Sequence, residues 1–236
     1  MNIALIGYGK MGRAIEEIAR TKGHTISHII ENSEQLPALQ RDKPDVAIEF
    51  TQPESVFGNL NFCLTNGVPV ISGTTGWQEN YGDIVKVCQE NQGTFLHSSN
   101  FSIGVNLFFE LNEWLAERMS KLHFSCELEE IHHTEKKDSP SGTAIKLAEG
   151  IQSKRPTIQG WTNEISTDHT KLGIVSKRIS NVPGTHTVSY TSKLESINIE
   201  HVAHQRSVFA EGAVQVSEWI QNKNGIFTMS DFINQQ

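Results

Sequence analysis

The chain has 236 residues, of which 37% are hydrophobic and 20% charged, and its formal net charge is −7. This composition is ordinary for a globular protein of one large or two modest domains, and the acidic balance argues against nucleic acid as a partner. No stretch approaches eighteen apolar residues, so the sequence predicts no membrane span.

The cellular location is predicted from two features of the sequence. The first residues have neither a basic n-region nor a cleavage-site pattern, so we expect no signal peptide. The three cysteines are widely spaced and odd in number, which is typical of reduced thiols. Both features favour a cytoplasmic protein.

The first predicted element is a buried strand, Ile3 to Ile6, followed at once by the turn Gly7-Tyr8-Gly9-Lys10-Met11-Gly12. A helical pattern then begins, with apolar residues at Met11, Ile15 and Ile18. A strand, a Gly-x-Gly-x-x-Gly turn and a helix form the context of a dinucleotide fingerprint. The glycines let the backbone approach a pyrophosphate, which the helix N-terminus then faces.

A second strand is predicted over Thr25 to Ile30, with Glu31 at its end. Glu31 stands about twenty residues beyond the glycines, where an acidic side chain binds ribose hydroxyls. A plain surface glutamate is the alternative. Lys10 in the glycine turn is placed to meet a 2'-phosphate instead, so the sequence leaves NADH and NADPH open.

Three more strands alternate with helices, at residues 46–50, 68–72 and 94–97. This alternation predicts a doubly wound parallel sheet, a Rossmann-like fold. Polar loops follow the strands, so they are expected to line one crevice at the carboxyl edge of the sheet. The two loops with candidate cofactor residues are Gly73-Thr74-Thr75-Gly76 and Ser98-Ser99-Asn100-Phe101.

The pattern changes after Gly104, where a long amphipathic helix over 105–119 is followed by strand-rich sequence from residue 173. We expect an α+β substrate domain over 104–204, with a mixed sheet that has one covered face and mediates oligomerisation. Residues 1–103 form the predicted dinucleotide-binding domain, and 205–236 return to it through a helix. The stretch 153–170 has few apolar residues and is predicted to be an exposed loop.

The segment Glu129 to Thr143 concentrates donors in an otherwise acidic chain. It holds His132 and His133, two lysines, and a Ser-Pro-Ser-Gly-Thr turn that leads into a helical pattern. Cationic donors beside a helix N-terminus favour a small anion with several carboxylates, and histidine can move protons near neutral pH. The alternative is a solvated loop with ordinary surface charge.

Together these motifs resemble a short form of the 4-hydroxy-tetrahydrodipicolinate reductase family, formerly called dihydrodipicolinate reductase, of bacterial lysine biosynthesis. The similarity runs the full length of the chain. The most specific match is Glu130-Ile131-His132-His133 with Lys136, Asp138, Pro140 and Ser141-Gly142-Thr143-Ala144. Supporting matches are Gly7 to Gly12, Phe50-Thr51, Gly73 to Gly76, Ser99 to Asn106, His204, Arg206, Phe209-Ala210, Gly212-Ala213 and Met229 to Asp231.

The resemblance implies an oxidoreductase of the diaminopimelate route that uses NADH or NADPH on a small dicarboxylate substrate, and a homotetramer joined through the substrate-domain sheets. It implies catalytic roles for His132 and Lys136, and substrate binding by His133, Gly142 and Thr143. The implied cofactor-binding residues are Gly7, Tyr8, Gly9, Lys10, Met11, Gly12, Glu31, Gly73, Thr74, Thr75, Ser98, Ser99, Asn100, Phe101, Arg206 and Phe209.

The implied chemistry agrees with these residue types. Hydride adds at C4 of a cyclic imine, and His132 supplies a proton, since imidazole ordinarily titrates near neutrality. Lys136 pairs with a carboxylate or polarises the imine nitrogen. Gly142 and Thr143 at a helix start offer backbone N–H groups to another carboxylate. One departure is Ser180, which stands near a position where the family commonly has glycine.

Three alternatives compete with this interpretation. One is another nicotinamide-dependent dehydrogenase on the same fold, and a second is a dinucleotide-binding redox sensor without catalysis. The third is a metal site, but His132 and His133 project in different directions on a strand, and His201 and His204 lack a partner at ligand spacing. We therefore predict no metal.

Overall fold

The computed structural model describes residues 1–235, which divide into two compact units. The first contains residues 1–103 and the chain from 207 onward, and the second contains residues 104–206. The predicted boundary after residue 204 lies two residues before the structural one.

The first unit begins as an alternation of parallel strands and helices. In strands β1, β3 and β4 almost every residue is buried, as expected for strands that are covered on both faces. Short 3-10 turns lie at Ser33–Gln35 and Gln78–Asn80. The elements are β1 (Asn2–Ile6), α1 (Lys10–Thr21), β2 (Thr25–Ile30), α2 (Ala38–Arg41), β3 (Val46–Glu49), α3 (Pro53–Thr65), β4 (Val70–Ser72), α4 (Tyr81–Glu90) and β5 (Thr94–His97).

The second unit is a five-stranded mixed sheet with two helices. Its elements are α5 (Ile103–Met119, which starts at the last residue of the first segment), β6 (Ser125–His132), α6 (Gly142–Lys154), β7 (Gly160–Thr162), β8 (Lys171–Arg178), β9 (Gly184–Thr191) and β10 (Ser196–Ala203). The strand order is β10-β9-β6-β8-β7, so β6 lies at the centre, antiparallel to β9 and parallel to β8.

One face of this second sheet is covered. Leu128, Ile174 and Val188 from its strands form a buried cluster with apolar residues of α5 and α6 such as Phe108 and Leu147. The burial of β6 alternates along its length, which is why Glu130 and His132 share the inner face while Glu127 and Glu129 face outward.

The chain then re-enters the first unit as α7 (Ser207–Ile220), β11 (Gly225–Phe227) and α8 (Met229–Ile233). The completed parallel sheet has the order β11-β5-β4-β3-β1-β2. Apolar residues of α1 and α7 build one buried cluster on it, and those of α3 and α4 build a second. The predicted Rossmann-like domain and the predicted mixed sheet are both confirmed.

Two short strands differ from the sequence-based expectations. The stretch 153–170 was expected to be a loop, but it contains the end of α6 and the edge strand β7, so that prediction was wrong in part. Strand β11 was not predicted at all. Each strand has three residues, which is too few for a hydrophobic period to show.

Within residues 1–235, no helix is both long enough and apolar enough to cross a membrane.

Candidate active site

The glycine turn after β1 gives each glycine a different role. Gly7 has φ of +94°, and a Cβ there would lie 2.0 Å from the carbonyl oxygen of Phe50. A Cβ on Gly12 would lie 2.3 Å from the carbonyl oxygen of Gly7, whereas one on Gly9 would meet nothing within 4 Å. Gly7 and Gly12 therefore permit a tight turn and close packing. Gly9 caps α1 and leaves space for a pyrophosphate at the helix N-terminus.

A cavity of about 820 Å³ lies beside this turn, at the carboxyl edge of the sheet. Its lining includes Gly7, Tyr8 and Gly9, together with Glu31 and Thr51 from the ends of β2 and β3. Glu31 is exposed in the position expected for an acid that binds ribose hydroxyls. Lys10 is exposed, but it is not one of the described residues that line this cavity. Met11 is half-buried and packs against the core.

Sequence reasoning missed Arg13, which stands directly after the last glycine of the turn. Its guanidinium lies 4.5 Å from the centre of the Tyr8 ring, in cation–π geometry. The Tyr8 hydroxyl donates to Glu16, and this hydrogen bond raises the pKa of Tyr8. A basic residue immediately after a glycine-rich turn is the sequence signal that would have indicated Arg13 as a candidate anion-binding residue.

The loops after β3 and β4 are organised by Glu49, a carboxylate with no exposed surface. It accepts hydrogen bonds from the backbone N–H of Thr51 at 3.0 Å, the Ser72 hydroxyl at 2.6 Å and the Thr74 hydroxyl at 3.0 Å. Burial raises the pKa of Glu49, against the effect of these donors. Thr74 is thus fixed next to the cavity-lining Thr51, while Thr75 is exposed.

Gly73 precedes this pair of threonines and packs on an aromatic ring. A Cβ on Gly73 would lie 2.1 Å from the ring of Phe50, so glycine is required there. The same ring lies 5.7 Å from that of Phe101, between centroids. Phe50 therefore connects the loops after β4 and β5.

The loop after β5 is held by its own polar groups. Ser98 Oγ donates to the carbonyl of Asn100 at 2.7 Å, and Asn100 Oδ1 accepts from the backbone of Ser102 at 2.9 Å. Ser99 is exposed, and Phe209 is half-buried on α7 of the same unit. The cofactor roles of these residues remain predictions.

In the second unit, His132 ends the central strand β6 and is only 8% exposed. Its Nδ1 lies 3.3 Å from Oε2 of the fully buried Glu130, without a well-aligned hydrogen bond. The ring meets His186 edge to face, with centroids 5.1 Å apart. Gly184 adjoins its other edge, where a Cβ would lie 3.1 Å from Nε2.

Lys136 lies in the loop that follows β6. Its ammonium forms a bidentate ion pair with Asp138, at 2.8 and 2.7 Å from the two carboxylate oxygens. Partial burial opposes ionisation of Asp138, but the hydrogen bonds from Lys136 outweigh it and lower the pKa of that carboxyl. The guanidinium of Arg178 donates to the carbonyls of Lys136 at 3.4 Å and Asp138 at 2.6 Å, which ties the loop to β8.

Helix α6 begins next to these side chains. Ser141 is its N-cap, and its hydroxyl accepts from the backbone N–H of Ala144 at 3.2 Å. The N–H groups of Gly142 and Thr143 are the remaining orphan donors of the first turn. Gly142 is exposed and Thr143 half-exposed, so this helix end is available to a carboxylate.

His133 projects away from His132, as expected for neighbours on a strand. It lines a concavity of about 280 Å³ together with Arg206 and the loop 180–183. Partial burial and then the positive charge of Arg206 lower the pKa of His133. Arg206 thus lies near a predicted substrate-binding residue of the second unit, while Phe209 belongs to the first.

Glu130, His132 and His186 bring possible metal-ligating atoms within 4.8 Å of one another. The oxygens of Glu130 are already engaged by the cationic Arg178 and the backbone N–H of Ser141, and Nε2 of His186 is hydrogen-bonded to the hydroxyl of Ser141. These partners compete with a metal ion for the oxygens of Glu130 and for Nε2 of His186, and the guanidinium repels a cation. The cluster fits a hydrogen-bonded ion-pair network better than a metal centre.

Comparison with known proteins identifies the family. The family model "Dihydrodipicolinate reductase, N-terminus" matches residues 1–101, and "Dihydrodipicolinate reductase, C-terminus" matches residues 104–233. A 4-hydroxy-tetrahydrodipicolinate reductase of Christiangramia forsetii is 45% identical over 99% of this chain and 98% of that protein. One of Thermosipho africanus is 32% identical over 100% and 99%.

A solved structure shares the fold. The dipicolinate-bound dihydrodipicolinate reductase from Paenisporosarcina sp. TG-14 superimposes with a TM-score of 0.80 over 97% of each chain, at 23% identity. The resemblance inferred from the motifs is confirmed by the family models and the curated relatives. This chain therefore belongs to the dihydrodipicolinate reductase family of oxidoreductases.

Proposed function

We propose that this chain catalyses the NAD(P)H-dependent reduction of 4-hydroxy-tetrahydrodipicolinate to tetrahydrodipicolinate in the diaminopimelate route of lysine biosynthesis. The observation that carries the proposal is the arrangement around one buried carboxylate, Glu130, which contacts His132 and the N-terminus of α6 directly and the loop of Lys136 through Arg178. A histidine, an ammonium and orphan helix N–H groups together suit a small dicarboxylate that must accept a proton.

The first unit fits a nicotinamide dinucleotide. Gly9 leaves open space at the start of α1, and Glu31 lines the adjoining cavity. In this proposal the turn Gly7–Gly12 binds the pyrophosphate, and the loops that begin at Gly73 and Ser98 complete the site. Bound NADH or NADPH would supply the hydride that adds at C4 of the dihydrodipicolinate ring, once the 4-hydroxyl group of the substrate has left as water.

The second unit handles the substrate and the proton. The N–H groups of Gly142 and Thr143 bind one carboxylate, and His133 contributes to substrate binding. Lys136 pairs with a carboxylate or polarises the imine nitrogen, and His132 donates the proton that balances hydride addition. Loss of His132 is therefore expected to lower kcat more than substrate affinity, whereas loss of Lys136 impairs both.

A coupled assay tests the proposal. Dihydrodipicolinate synthase would generate the unstable substrate, and NADH and NADPH oxidation would be followed separately by the nicotinamide absorbance. We expect rapid oxidation, a fall of about 100-fold or more in kcat for His132→Ala, and no change for His123→Ala, an exposed histidine of the same unit. No oxidation by protein that binds either cofactor would refute the assignment and favour the sensor or another dehydrogenase.

The proposal includes a homotetramer, formed through the outer face of the second sheet. This face carries a groove of about 540 Å³ that contains Lys177 paired with Glu129, beside Ile165, which is 71% exposed. Light scattering should give the mass of four chains. Thr187→Arg in the groove should reduce it, whereas Thr157→Arg, at an exposed site of the same unit, should not. The cytoplasmic location stays a prediction.

A further inference from the structure

A fully buried carboxylate lies behind the proposed proton donor. Glu130 has no exposed surface, yet it is ionised, since the groups around it hold its pKa well below the ordinary range. Burial opposes ionisation most strongly, but the interactions of the carboxylate with His132 and with the backbone N–H of Ser141 outweigh it. A buried charge is stable only when it is paired and hydrogen-bonded. The groups that contact Glu130 are therefore the groups whose positions it can fix.

These partners belong to three different pieces of the proposed site. On its own strand, Glu130 Oε2 lies 3.3 Å from Nδ1 of His132. At the start of α6, the backbone N–H of Ser141 donates to both carboxylate oxygens at 3.1 and 3.2 Å. From β8, Arg178 Nη2 lies 3.3 Å from Oε1.

Arg178 extends this network to the loop that carries Lys136. The same Nη2 that meets Glu130 donates to the carbonyl of Asp138 at 2.6 Å, and Nε donates to the carbonyl of Lys136 at 3.4 Å. One carboxylate thus contacts the histidine and the helix N-cap directly, and the lysine loop through one guanidinium.

The neighbouring His186 does not carry a positive charge that would balance the charge of Glu130. It is 4% exposed, and burial, followed by the positive charge of His132, lowers its pKa to about 3. It is neutral at neutral pH and donates to, or accepts from, the Ser141 hydroxyl at 3.2 Å. The other charged or titratable groups around His132 are Arg178 on β8 and, on its own segment, His133 and Lys136. Glu130 is therefore the anion that faces a protonated His132 within this cluster.

We propose that Glu130 is a positioning residue for the reaction: its charge orients His132 through Nδ1 and sustains the imidazolium, and with Arg178 it fixes the lysine loop and the carboxylate-binding start of α6. The nitrogen left for proton exchange with the substrate is then Nε2. This inference rests on the proposed function. A purely structural role for Glu130 is the competing explanation.

The test compares Glu130→Gln with Glu130→Asp. The amide keeps the shape and an oxygen for the Ser141 N–H but removes the charge, whereas aspartate keeps the charge with a shorter reach. We expect Glu130→Gln to lower kcat by about 100-fold and to move the alkaline fall of the kcat profile to lower pH. Glu130→Asp should also lose kcat but keep the wild-type position of that fall.

Two controls separate positioning from folding. NADH affinity should stay close to wild type in Glu130→Asp, because all of the proposed nucleotide-binding residues except Arg206 lie in the first unit. Thermal unfolding should show a folded chain, because the charge that pairs with Arg178 is kept. If Glu130→Gln does not fold, a double-mutant cycle that combines Glu130→Asp with His132→Ala still tests the proposal. We expect Glu130→Asp to lower the residual activity of the His132→Ala chain far less than it lowers that of wild type. Equal effects in both backgrounds would overturn the proposal.

A measurement that needs no turnover distinguishes this inference from the proposed function. At one fixed pH, the ring resonances of His132, assigned by their loss in His132→Ala, should differ between Glu130→Gln and wild type. Unchanged resonances would refute the role of Glu130, even in an active reductase. Shifted resonances in a chain without reductase activity would refute the proposed function and leave the pairing intact.

Discussion

Gly184→Ala is the sharpest test of how closely the proton donor is packed. A Cβ at position 184 would lie 3.1 Å from Nε2 and 3.3 Å from Cδ2 of His132, while ordinary contacts between such atoms are about 3.5–4.0 Å. The ring must therefore retreat by about 0.4 Å, against His186 at 5.1 Å between centroids and Glu130 at 3.3 Å. Since a misplacement of about 1 Å costs about 100-fold, we expect kcat to fall roughly fivefold to tenfold.

The assay is steady-state oxidation of NADH with saturating substrate, beside thermal unfolding of the same preparations. Gly82→Ala is the matched control, because a Cβ there meets nothing within 4 Å and the residue lies in α4 of the first unit. We expect its kcat to equal that of wild type. If Gly184→Ala, at an unchanged melting temperature, also keeps wild-type kcat, then Nε2 is not the reacting nitrogen or the ring is not confined.

Three further predictions concern the cofactor site and acid stability. Gly9→Ala should fold like wild type but weaken NADH binding at least tenfold in a fluorescence titration, whereas Gly12→Ala should lose both stability and binding, because its Cβ would lie 2.3 Å from a carbonyl oxygen. Glu31→Ala should raise KM for NADH and spare KM for NADPH, and an unchanged KM for NADH would show that Glu31 does not bind the ribose hydroxyls. Burial lowers the pKa of His186 to about 3 in the folded protein, so below about pH 6.5 the unfolded chain binds a proton that the folded chain does not. The free energy of unfolding should therefore fall by up to about 1.4 kcal/mol per pH unit between about pH 6 and pH 4, and His186→Asn should flatten that slope in urea titrations.

The cofactor turn could be predicted from sequence because its causes are local. Gly7 has a positive φ and Gly12 packs on the carbonyl of Gly7, and both constraints act within the turn, so the spacing reports the turn although Gly7 also packs against Phe50. The same holds for the N-cap Ser141, which precedes a helical pattern directly. By contrast, β7 and β11 are held by their neighbours in the sheet and are too short to show a period.

The network behind His132 could not be predicted in this way, because it is assembled by strand pairing. Arg178 and His186 are 48 and 56 residues from Glu130, and the pairings of β6 with β8 and β9 bring them together. The sequence carries one local hint, since Glu130 lies two residues before His132 and must share its face of the strand. Nothing in the spacing of the other two residues indicates which strands pair, or in what register.

The energetics of this network favour a functional reason for its charges. Replacing a buried ion pair by apolar residues of similar volume is often neutral or stabilising, because the attraction between the charges barely offsets their desolvation. The Glu130–Arg178 pair is therefore a poor way to stabilise the sheet. The neighbouring inward position of β6 is filled by an apolar residue, Leu128. What apolar residues cannot provide is a fixed anion beside an imidazole that must gain and lose a proton. Replacing Glu130 and Arg178 together by uncharged residues should therefore change the free energy of unfolding little and lower kcat strongly. A salt bridge with a structural role would give the opposite result.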